Sequence, residues 1–115
     1  MIAEIKDKFW EYTITVVTDG DIDRVIQDDL LLEMSDIGND VLGTSMILPS
    51  GEMIVWFNTN SSESENDMVD TIAHEAVHLS RHILHNVQNT PLTDNTEEVY
   101  ARLIGKITAQ IFKVL

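Results

Sequence analysis

At 115 residues, 43% of them hydrophobic, the chain has enough apolar mass for one compact core and too little length for two ordinary domains. No run nears the roughly 18 consecutive apolar residues of a membrane span, and Met1 to Trp10 interleaves Glu4, Lys6, Asp7 and Lys8 with its apolar residues, unlike a signal-peptide core. The formal charge is −13, with Arg24 the one Lys or Arg between Phe9 and Ser80, which disfavours binding to nucleic acid or anionic lipid and leaves a basic protein or peptide as the partner such a field attracts.

Trp10 to Thr18 is rich in β-branched and aromatic residues, and Tyr12, Ile14 and Val16 alternate with Glu11, Thr13 and Thr15, which predicts a half-buried strand ending at Asp19-Gly20. From Asp21 to Gly38 the residues Ile22, Val25, Ile26, Leu30 and Met34 fall at helical spacing, so a surface helix with one apolar face is expected there. Leu42 to Leu48 and Glu52 to Phe57 read as two strands, and the turn signature Pro49-Ser50-Gly51 between them predicts a hairpin.

Asn58 to Asn66 is polar and rich in capping residues, with acids where the positive end of a helix favours them, so a helix begins there. Val69, Ile72, Ala73, Ala76, Leu79 and Ile83 recur at three and four and mark its buried face, while His74, Glu75, His78 and His82 lie along another strip. The acids of the run from Glu63 to Asp67 suit this helix start and would also favour basic substrates. Asn86 to Asp94, with Pro91, is a connecting loop. The last helix runs from Thr96 to the C-terminus, with Val99, Leu103, Ile107 and Ile111 at four-residue intervals, acids in front and Lys106 and Lys113 behind. The expected architecture is α+β, one domain over residues 1–115: a small, mostly antiparallel sheet of about three strands packed on an N-terminal helix, a motif helix and a C-terminal helix.

The motif is His74-Glu75-Ala76-Val77-His78, and the other two histidines, His82 and His85, lie within the next seven positions. Imidazoles four residues apart on a helix face the same way, about 6 Å apart along the axis, so both can reach one tetrahedral zinc at roughly 2.0–2.1 Å. Glu75 then stands beside the metal, where a carboxylate can take a proton from water. With no cysteine in the chain, only nitrogen and oxygen ligands are available, which agrees with a cytoplasmic protein.

A zinc site needs a further ligand. If Asp94 caps the last helix, Glu97 bends back in a capping box and Glu98 is left free, on a strip with Arg102 and Gly105 away from the apolar line. Glu98 is therefore preferred to Glu97.

With these residues in place the chain resembles the zincin metallopeptidases, in the gluzincin arrangement where a glutamate on the following helix completes the site. It is most similar to minimal one-domain gluzincins and to the small zincin-like proteins encoded by bacteriophages, with Glu97-Glu98-Val99-Tyr100-Ala101 at the expected place. The resemblance implies that His74, His78 and Glu98 bind zinc and that Glu75 is the general base of peptide-bond hydrolysis. It also implies that the strand Met53 to Asn58, with Phe57 and Asn58 at its end, is the sheet edge that holds an extended peptide. Arg102 stands where many gluzincins carry an acid, so Asp70, one turn before His74, is the candidate to orient a histidine. His82 and Arg102 are further auxiliary candidates, at a substrate carbonyl and a developing oxyanion respectively, against the plainer readings of a solvated or core-edge histidine and of a salt-bridge partner for Glu98 or Asp70. Tyr100, on the far side of the helix from Glu98, is expected in the core or an interface. The competing function is an acidic binding or inhibitor module that targets a basic protein without catalysis.

Overall fold

The computed structural model describes residues 1–25, 42–60 and 65–115. Tyr12–Thr18 forms the strand that its β-branched run predicts, here β2, and residues Ile2–Asp7 form a further strand, β1, antiparallel to it. The predicted hairpin is present as β3 (Gly43–Ile47) and β4 (Met53–Phe57), turned at Gly51 with φ of 90°, a left-handed conformation that costs glycine little. The sheet order is β1-β2-β4-β3, with β4 parallel to β2. Of the helix expected from Asp21 to Gly38, the described residues hold the beginning: a 3-10 turn at Asp19–Asp21 and one α-helical turn, α1 (Ile22–Val25). The rest of that expectation lies outside them.

Two long helices cover one face of the sheet. The motif helix α2 spans Glu65–Arg81 and ends in a π turn, His82–Val87; the last helix, α3, spans Glu97–Val114. Ile72, Ala76, Leu79 and Ile83 from the α2 side and Tyr100, Leu103, Ile107 and Ile111 from α3 share one core with Ile14, Val16, Met53, Val55 and Phe57. The intervening Val17 and Ile54 point to the opposite face and cluster with Ile22. This alternation is what the two-residue side-chain period of a strand demands.

Two local details depart from the sequence reading. The N-cap of α3 is Thr96, so Glu97 and Glu98 are its first two residues and the Asp94 capping box does not form. The Thr96 hydroxyl donates to Pro91 O at 2.7 Å and accepts from Thr93 N at 2.8 Å, so it closes the loop instead of capping the helix. Tyr100 is buried as expected, and its hydroxyl donates to Thr90 O at 2.6 Å, pinning that loop to α3.

Edge strand β1 is tied to α3 by a polar cluster. The Asp7 carboxylate, with its side chain 8% exposed, accepts from Lys106 Nζ at 2.7 Å, from Gln110 Nε2 at 3.2 Å and from Trp10 N at 2.9 Å. These donors, Lys106 foremost, hold the Asp7 carboxyl below its ordinary value of 3.8. Tyr12 donates to Gln110 in the same cluster, and burial, then the neighbouring Asp7 charge, pushes its phenol up to about 12.

A depressed folded-state value means that Asp7 contributes stability which is fully present above the ordinary aspartate range and is lost as pH falls through the folded value. Asp7→Asn should therefore lower the urea midpoint at pH 7, and the gap from wild type should close as pH is taken down through the range below about 4. A gap that persists unchanged at acid pH would show that the cluster acts through packing and not through the charge.

Candidate metal centre

The register of the apolar stripe on α2 sets where the motif points. On an ideal helix Glu75 lies about 60° from the centre of the stripe through Ile72, Ala76 and Leu79, while His78 and His74 lie beyond it at about 120–160° on the same flank. Glu75 is accordingly buried, 4% exposed, and both histidines are exposed. The motif is thus split by depth, with the carboxylate under the sheet edge and the imidazoles outside it.

The two rings meet edge to face, with His74 Nε2 and His78 Nε2 3.2 Å apart. In the free protein one Nε2–H can donate to the other. Two nitrogens at this separation can also lie about 2.0–2.1 Å from a single ion at an angle of about 100°, close to tetrahedral. One ligating atom each from His74, Glu75 and His78 falls within 4.8 Å of the others, a group that can hold a metal ion. Glu75 Oε2 is 4.0 Å from His74 Nε2.

The strand beside this group is β3. Its pairing with β4 sets Gly43 opposite Phe57 and Ser45 opposite Val55, so both point to the helix side of the sheet. Ser45 Oγ donates to Glu75 Oε1 at 3.0 Å. One helical turn earlier a Cβ on Gly43 would stand 2.8 Å from Thr71 Cγ2, so only glycine lets the strand approach this closely. Leu42, Gly43, Asp67, Asp70, Thr71, His74 and Glu75 line a cleft of about 400 Å³ along this seam. Asp70, the candidate for orienting a histidine, is therefore in the same cleft as His74.

The sheet edge expected at Met53 to Asn58 is corrected. Strand β4 is internal to the sheet, between β2 and β3, and Phe57 is fully buried in the core. Neither Phe57 nor Asn58 is on a sheet edge: Asn58 N donates to Leu42 O at 2.9 Å, continuing the pairing with the segment before β3. Among the described residues the edge beside the motif is β3. Glu98 is 76% exposed in its side chain and pairs with Arg102 Nε at 3.1 Å, four residues on, and neither it nor Glu97 joins the histidine group. Arg102 is thereby a partner of Glu98 on the surface of α3. His82, on the π turn, lines a separate cleft with Glu11, Glu52 and Gln88, and its Nδ1 is 3.3 Å from Asn86 Nδ2.

The residue that sequence reasoning missed is Ser45. Its signal was positional, since strand alternation places it on the face shared with Gly43, but the partner on α2 is thirty residues away. No protein-family model, curated protein or solved structure matches the chain.

Gly43→Ala should destabilise the fold by about 1–3 kcal/mol, the scale of overpacking, because β3 must retreat from α2. Adding Thr71→Ser removes the Cγ2 methyl and should recover part of the loss, read by urea denaturation. No recovery would place the strain at the other two near neighbours, Phe57 Cδ1 at 3.1 Å and Trp56 O at 3.2 Å.

Proposed function

We propose that the protein is a zinc-dependent peptide hydrolase in which His74 and His78 hold the ion and Glu75 is the general base. The observation that carries this reading is the depth-split motif: two outward imidazoles with nitrogens 3.2 Å apart and a buried carboxylate alongside. A carboxylate held off the ion by a hydrogen bond to the neighbouring strand serves as a base and not as a structural ligand. The donor set, imidazole nitrogen and carboxylate oxygen, fits zinc. What the ion supplies when bound is Lewis acidity, which makes water a nucleophile near neutral pH.

Glu75 takes the proton that the attacking water gives up and returns it to the leaving amine as the C–N bond breaks, so one water is consumed and an acid and an amine are formed. Its tether to Ser45 leaves Oε2 as the oxygen on the histidine side. An extended peptide would run along β3, whose outer backbone groups can pair with a further strand, with its side chains over the cleft. Asp67 and Asp70 in that cleft favour a Lys or Arg residue in the substrate. Zinc in catalytic sites takes three protein ligands, and Glu98 is the third in this proposal. Its exposed ion pair with Arg102 contributes only about 0–1 kcal/mol, so exchanging Arg102 for the ion costs little.

The same acidic cleft supports the second reading, a non-catalytic module that captures a basic protein. Glu75→Gln separates the two. It keeps shape and hydrogen-bonding capacity but removes the base, so zinc content should stay while hydrolysis of Lys- and Arg-rich peptides falls about 10²-fold or more. Wild type and variant both inert, yet both retaining one basic partner in a manner lost at high salt, would replace the hydrolase by the module.

Metal analysis tests the ligands. About one zinc per chain is expected in protein purified without chelator, lost in His78→Ala and bound about tenfold or more weakly in Glu98→Gln. Zinc should also raise the melting temperature, because a folded helix presents the two histidines together and the unfolded chain does not. Equal zinc in wild type and His78→Ala would remove the site.

A further inference from the structure

Three side chains able to ligate a metal stand on little more than one helical turn, and the Glu75 carboxylate, with Oε2 4.0 Å from His74 Nε2, is within a short swing of an ion held by the two imidazoles. A carboxylate so close to an ion is a competitor for it. Were Glu75 to swing onto the metal it would complete the ligand set and cease to be a base.

One contact opposes that swing. Ser45 Oγ holds Oε1 at 3.0 Å, and among the described residues it is the hydrogen-bond donor to this carboxylate. The contact is built into the packing of β3 on α2. Two residues along a strand advance about 6.6 Å and four along a helix about 6 Å, so Gly43 on Thr71 and Ser45 on Glu75 are successive contacts of one seam, with strand and helix running in the same direction. Gly43, which tolerates no Cβ beside Thr71, brings the serine within reach.

We infer that Ser45 is a positioning residue that decides the role of Glu75, keeping it out of the ligand set so that it serves as the base. The inference rests on the metal-site reading above. Its physical basis is the cost of a buried carboxylate without a donor: a hydroxyl to a carboxylate is a charge-assisted bond, and its loss at a site only 4% exposed drives the group to the nearest positive charge. With Ser45 in place that drive is satisfied on the strand. Without it, the nearest cation is the bound ion.

The test reads coordination and needs no turnover. Wild type, Ser45→Ala, Ser45→Thr and the double variant Ser45→Ala/Glu75→Gln are loaded with Co(II), the visible spectrum is recorded, and affinity is measured by competition with a chromophoric chelator. Ser45 is on an edge strand and half-buried, so the alanine variant is expected to fold, which circular dichroism checks; the threonine variant keeps the hydroxyl on a residue that strands favour. Ser45→Ala should bind Co(II) about tenfold more tightly, a gain of about 1.4 kcal/mol from one added carboxylate ligand, and its visible bands should shift as that carboxylate joins the ion. Ser45→Thr should match wild type. The double variant should lose the gain, since glutamine is a poor ligand. Spectrum and affinity unchanged in Ser45→Ala, or a gain that survives Glu75→Gln, would overturn the role given to Ser45 while leaving the metal site standing. No Co(II) binding by wild type would instead bring down the metal reading and this inference with it, a result visible before any variant is compared.

Discussion

The burial of one stripe of α2 fixes most of what this molecule can do. Ile72, Ala76, Leu79 and Ile83 are almost wholly excluded from solvent between the sheet and α3, and each large side chain lost from such a core costs several kcal/mol. The helix therefore has no rotational freedom about its own axis. With 3.6 residues per turn, fixing that stripe leaves no choice for the motif: Glu75 lies at the margin of the core and the histidines lie outside it. A rotation of one residue either way would carry the carboxylate into the core or out to solvent, and would unseat the apolar stripe at the same time.

The same rotation brings the flank of α2 against β3, and there the sheet contributes to the site. Gly43 and Ser45 supply, from one strand, the absence of a side chain and the presence of a hydroxyl at positions separated by one repeat of the pleat. Strand order matters as much as strand identity. β4 pairs with β2 on one side and β3 on the other and its alternate residues fill both cores, while the edge role falls to the more polar of the two hairpin strands. At the opposite edge, β1 buries only Ile5 and carries Glu4, Lys6 and Asp7, a charged edge that resists pairing with another chain.

What could be read from the residues follows from the range of the interactions. Both long helices and the hairpin were legible because their signals are local: apolar recurrence at three and four, and a proline, serine and glycine between two β-branched runs. The histidine pair was legible for the same reason, since i and i+4 neighbours meet in any helix. Strand β1 was not, because its alternation is weak and its partner is chosen by the turn at Lys8 to Glu11, where Glu11 takes a φ of 58°. The assignment of Phe57 and Asn58 to a sheet edge failed because edge or centre is decided by the parallel pairing of β2 with β4, a contact between segments about forty residues apart that leaves no local trace. Asp94 and Thr96 are both good capping residues. The tertiary path of the loop selected Thr96, whose hydroxyl turns back to Pro91, and that in turn set Glu97 and Glu98 two positions earlier in the helix than the capping-box reading required.

The edge of β3 has a consequence for how the protein must be handled. Among the described residues no strand pairs with the outer side of β3, and an unpaired strand is a template for any other copy of itself. Here the strand carries no lysine, aspartate or glutamate of its own to repel a neighbour, since it reads Gly43-Thr44-Ser45-Met46-Ile47. The protection is global instead, a net charge of −13 at neutral pH that keeps copies apart. That protection vanishes near the isoelectric point of about 4.3, so colloidal stability is set by the carboxylates of the whole surface, and turbidity against pH reports on it directly.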